Sequence, residues 1–71
     1  MSKEFLVNKN IKRIIESGDK RINEVAAKAG IGSKVFSNII RCRRKVYADE
    51  VVGIADALGV PLEVLFAVIP D

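Results

Sequence analysis

Histidine is absent from this chain, and cysteine occurs once, as Cys42. Without histidine there is no imidazole base, no Cys/His couple and no zinc-ligand cluster. Nine carboxylates remain, but none stands in a recognisable acid/base arrangement, and a chain this short has little room for an active-site pocket. The expectation is a protein that is not an enzyme and uses no metal or cofactor. A lone cysteine closes no internal disulfide, which suits a reducing compartment and predicts a cytoplasmic protein. Long apolar runs are missing too, and Met1-Ser2-Lys3-Glu4 does not resemble a signal peptide, so neither a membrane nor export is expected. Glycine and proline are sparse, there is no repeat or low-complexity segment, and 49% of the residues are apolar. One globular domain over residues 1–71 follows, near the lower size limit for an unstapled core.

Basic residues are missing from one part of the chain. All twelve Lys and Arg lie in residues 1–45, against four acids there, giving +8. Residues 46–71 hold five acids and no base, giving −5. Solubilising charge rarely segregates so completely. A basic front and an acidic back predict a polyanion bound on one side.

The apolar spacing predicts an all-α fold of five short helices. Residues 11–17 place Ile11, Ile14 and Ile15 at helical spacing, with Asn8 or Asn10 as N-cap and Gly18 as the stop. Residues 20–29 carry Ile22, Val25, Ala26 and Ala29 on one stripe, with Asp19 as cap and Gly30 as terminator. A third helix starts near Ser33. The fourth spans 48–58, with Ala48, Val51, Val52, Ala55 and Leu58 inward, Asp49 and Glu50 in the first turn, and Gly59 after it. Gly53 inside that helix costs about 1 kcal/mol against alanine. The fifth starts at Pro61 and carries Leu62, Leu65 and Phe66 inward. Phe5-Leu6-Val7 reads as a short extended piece.

The third helix bears the chemistry. At about 100° per residue, Ser33, Lys34, Ser37, Asn38 and Arg41 fall within one arc of roughly 140°. Phe36, Ile39 and Ile40 lie opposite, with Val35 at the edge beside Asn38. The polar arc holds no acid, whereas a merely solvated face usually mixes signs. Such side chains suit base edges and phosphates: Asn pairs with adenine, Lys with guanine, Ser with either, and the Val35 methyls can meet thymine.

The stretch EVAAKAGIGSKVFSNIIR, residues 24–41, resembles the helix-turn-helix of the lambda-repressor and Cro-like (Xre-like) family. The shared pattern is a small residue in the first helix of the motif (Ala26), Gly in the turn (Gly30), an apolar residue after it (Ile31) and apolar anchors in the second (Phe36, Ile39). The continuation ADEVVGIADALGVPLEVLF resembles that family's fourth and fifth helices, so the likeness runs over residues 11–66, with the motif at about 20–41. It implies a DNA-binding domain whose third helix lies in the major groove. It also implies base reading by Ser33, Lys34 and Asn38, joined by Ser37 and Val35, with Arg41, Arg43, Arg44 and Lys45 on phosphates.

Four positions depart from the family pattern. Ile22 replaces a phosphate-binding Gln and is expected to pack on the first helix. Cys42 replaces a glycine, so a different turn is expected there. Ile15 and Ile40 replace a frequent Arg–Glu pair, and are expected to touch. Tyr47 replaces a Ser or Thr cap and is expected to pack.

A single domain of this kind reads few base pairs, so a homodimer on a two-fold site is expected. Val64, Ala67, Val68 and Ile69 supply its apolar interface. The leading reading is a small phage- or prophage-type repressor that occupies an operator in double-stranded DNA. The alternatives are a protein-binding antirepressor that docks on another repressor, the antitoxin of a toxin pair, or a controller of a restriction system.

Overall fold

A computed structural model of the chain describes residues 5–18 and 20–68. Among them are five helices and no strand: α1 Leu6–Ser17, α2 Ile22–Ala29, α3 Ser33–Ile40, α4 Ala48–Leu58 and α5 Leu62–Phe66. The expectations for Asp19 as a cap and Ile69 as an interface residue lie outside the described residues. Helix α4 packs on α2 and α5, α1 on α3 and α5, and α2 on α3. Ile11, Val25, Phe36, Ile39, Ile54 and Leu65 sit at the centre, each 2% exposed or less.

Helix α1 begins five residues before the expected start at Ile11. Leu6 and Val7 are helical, not extended, and the apolar stripe is Val7, Ile11, Ile14 and Ile15. Asn8 and Asn10 interrupt that stripe, which is why they read as caps. They are interior residues of the helix, 2% and 1% exposed. The Asn8 amide Nδ2 donates to the Ile39 carbonyl at 2.9 Å and to the Arg44 carbonyl at 2.7 Å. The Asn10 Nδ2 donates to the carbonyls of Leu65 at 2.8 Å and Ala67 at 2.9 Å. One helix therefore ties down the end of α3, the loop after it and the end of α5. The Asn10 Oδ1 is buried without a partner, so this tether carries a desolvation penalty.

The interior of α4 follows from its own spacing. Val51, Ile54, Ala55 and Leu58 stand at i, i+3, i+4 and i+7 and are all buried. That stripe turns Val52 outward, 56% exposed, and leaves Ala48 exposed as well, contrary to expectation. Gly53 faces α2: a Cβ there would lie 3.3 Å from the Ala29 carbonyl oxygen. Its poor helix propensity is the condition of that close approach. In α5 a single turn offers one inward position, which Leu65 takes. Leu62 and Phe66, expected inward, are 39% and 54% exposed.

Three helices end with the same pair of backbone bonds. After α2, the Ile31 N–H reaches the Ala26 carbonyl and the Gly30 N–H the Ala27 carbonyl, with Gly30 at φ 72°. Gly59 closes α4 likewise. After α3, the Arg43 N–H bonds Asn38 and the Cys42 N–H bonds Ile39, with Cys42 at φ 58°. The turn expected to differ is therefore retained, and Cys42 bears the left-handed strain that glycine would avoid. The surrounding bonds, including that from Asn8 to Arg44, outweigh it.

Two substitutions test these anchors by urea unfolding. Cys42→Gly is expected to raise stability by about 1 kcal/mol. Asn8→Ala removes the side-chain donor to the Arg44 carbonyl and leaves the Ile39 carbonyl with the Cys42 N–H, and is expected to lower it by about 2 kcal/mol.

Candidate nucleic-acid interface

The interface starts from the turn between α2 and α3. Gly30 reverses the chain, Ile31 packs half-buried against the core, and Gly32 leads in extended geometry into Ser33. Phe36, Ile39 and Ile40 are buried and fix the roll of α3 about its axis. Ser33, Lys34 and Val35 are then exposed, and Ser37 and Asn38 are half-buried. Ile15 and Ile40 are buried in one core, at 7% and 9% exposure, where α1 packs on α3. Apolar side chains thus fill a place that would hold an ion pair only at a desolvation cost.

A surface depression of about 890 Å³ runs beside α3. Ser33, Lys34, Ser37 and Asn38 line one side, continued by Arg41 and Arg43. Residues Arg21, Ile22, Asn23 and Glu24 at the start of α2 line the rest. Four cations and one carboxylate border this groove, so it favours an anionic occupant. Six of the nine expected DNA-contacting residues meet here. The α2 residues were not foreseen as lining; only their place at the mouth of the two-helix unit could have suggested them.

Ile22, expected to pack on α1, is not part of the buried core. It is 40% exposed and faces the groove. Helical Cα–Cβ bonds tilt toward the N-terminus, so the first side chain of α2 overhangs the helix end instead of joining its apolar stripe.

Val35, Arg44 and Lys45 do not line the groove. Val35, 40% exposed, borders a separate depression of about 410 Å³ with Ile31, Asp49 and Glu50. Lys45 is exposed on the loop before α4. Arg44 pairs fork to fork with Glu50: Nη1 to Oε1 at 3.1 Å and Nη2 to Oε2 at 3.2 Å. Its guanidinium also stands 4.9 Å above the Tyr47 ring. Tyr47 is 65% exposed, so the packing expected of it is against Arg44 at the surface. Its N–H donates to Glu50 Oε1 at 2.9 Å, so Glu50 closes the first turn of α4 from the carboxylate side.

These contacts shift both partners. The hydrogen bond to Glu50 raises the Arg44 pKa against a smaller opposing effect of burial. For Glu50, burial alone would raise the carboxyl. The Arg44 hydrogen bond, the Tyr47 N–H and the Arg44 charge together hold it below its ordinary value.

Cys42 is half-buried and unpaired in any disulfide. Among the described residues no group of His, Cys, Asp and Glu could hold a metal ion, and no helix is long and apolar enough to cross a membrane. The chain matches no protein-family model, no curated protein and no solved structure.

The Glu50 pair carries a pH signature. A depressed carboxyl stabilises the fold above its unfolded pKa near 4.5 and loses that contribution as pH falls through the folded value. Glu50→Gln is expected to lower stability by about 0.5–1 kcal/mol at neutral pH. The difference from the parent should shrink as pH falls below the unfolded pKa and through the lower folded value, in paired urea titrations.

Proposed function

We propose that this chain is a sequence-specific DNA-binding transcriptional regulator of the lambda-repressor and Cro-like kind, with α2 and α3 as its helix-turn-helix. The observation that carries the reading is the acid-free outer side of α3. Ser33, Lys34, Ser37 and Asn38 border a groove whose remaining charge is mostly positive. Laid in a major groove, Asn38 is suited to adenine N6 and N7, Lys34 to guanine O6 and N7, and the serines to either. Arg41, Arg43 and Lys45 serve phosphates and set register without reading sequence. Arg44, held by Glu50, shapes the loop and joins the phosphate contacts only by leaving that carboxylate.

The chain acts as a homodimer on a two-fold operator, and represses by occupying it, in the manner of phage and prophage regulators. Support for the dimer comes from α5 and the residues after it. Leu62, Val64, Phe66 and Val68 are each at least 38% exposed, and Ala67 is exposed beside them. So many outward apolar groups on one short segment favour a protein partner there. The same observation favours the second reading, in which the partner is another repressor or a toxin.

Titration of duplex DNA by fluorescence anisotropy, at several salt concentrations, separates the roles. Asn38→Ala and Lys34→Ala should each cost about 1–3 kcal/mol on the preferred duplex and relax preference at one base pair. Arg43→Ala should weaken all duplexes alike and flatten the salt slope by about one unit. Uniform weakening by Asn38→Ala and Lys34→Ala would contradict base reading by α3. Sedimentation at micromolar concentration should find a dimer, and Phe66→Lys a monomer.

A further inference from the structure

We propose that Ile22 is a specificity-determining residue, the group that meets a thymine methyl in the bound duplex. The assignment rests on the DNA-binding reading above and gives the apolar contact to α2 instead of to Val35 on α3. Two side chains compete for that role, and both are 40% exposed. Val35 borders a depression that also holds Asp49 and Glu50. Glu50 there is neutralised by Arg44, but the Asp49 carboxylate repels a phosphate backbone, so the Val35 flank is turned away from a bound duplex. Ile22 lines the groove with Lys34, Ser37, Asn38 and Arg41, and every other lining residue is polar or charged.

The identity of the occupant follows from what duplex DNA can offer. An aliphatic group gains nothing from a phosphate oxygen, which it would desolvate. On the base edges of the major groove, the apolar feature is the C5-methyl of thymine. Helix formation does not explain Ile22 either: a β-branched residue at the first position has modest helix propensity, and its side chain is 40% exposed. With Asn38 and Lys34 supplying the hydrogen bonds, Ile22 adds a contact that hydrogen bonds cannot make, and marks the position of a thymine.

The test replaces each thymine of a preferred duplex, one at a time, with deoxyuridine, which lacks only that methyl. Dissociation constants are measured for the parent, Ile22→Ala and Val35→Ala, with folding checked by circular dichroism. One thymine per half-site should be worth about fourfold to the parent and to Val35→Ala, the value of one buried methyl. It should be worth nothing to Ile22→Ala. Methyl dependence that is absent throughout, or that survives in Ile22→Ala, overturns the assignment and leaves base reading by α3 in place. Binding without any base preference overturns both.

Discussion

The arrangement depends on two buried amides of one helix. Asn8 holds the last turn of α3 and the loop behind it, and Asn10 holds the end of α5. A domain this small has few apolar contacts to spare. Hydrogen bonds spanning 31 to 57 residues fix helix ends that packing alone would leave free to fray. At the end of α5 they also satisfy the Leu65 carbonyl, of the kind that a helix end otherwise leaves unpaired. The strained Cys42 lies between the two carbonyls that Asn8 holds, and is carried by that tether.

The roll of α3 follows from this frame. Phe36 and Ile39 are fully buried, so α3 has one way to lie and its polar arc has one direction to face. Glycines at 30 and 32 keep the link to α2 short. The start of α2 is thereby brought to the edge of that arc, where it supplies Arg21 and the exposed Ile22. Charge reinforces the direction. The Asp49 carboxylate at the start of α4 borders the other flank of α3, beside Val35. Within one loop, Arg43 faces the groove while Arg44 turns to Glu50. Neighbouring cations thus differ in place: one lines the groove and one holds the loop.

Periodicity made much of this legible. The extents of α3 and α4, the glycine stops and the burial of Phe36 and Ile39 follow from spacing and turn chemistry. What stayed hidden depends on partners remote in the chain. Nothing local distinguishes a capping asparagine from one that bonds a carbonyl 55 residues away, so the first half of α1 is not legible from its own residues. Val52 and Phe66 continue i, i+3, i+4 stripes from Ala48 and Leu62, but the buried faces centre on Ile54 and on Leu65 and leave both at the edge. The turn at Cys42 follows glycine geometry because tertiary bonds override its intrinsic preference. The polar arc of α3 was visible, but the wall contributed by α2 was not, since only folding sets those two segments side by side.

The central claim is that the outer side of α3 reads base sequence. The most direct measurement is selection of binding sites from a random duplex pool, using the purified chain at near-physiological salt. The account predicts enrichment of one two-fold-symmetric motif. Recovery of no motif, with binding that is weak and erased by salt, would contradict it and move the function of this surface to a protein partner.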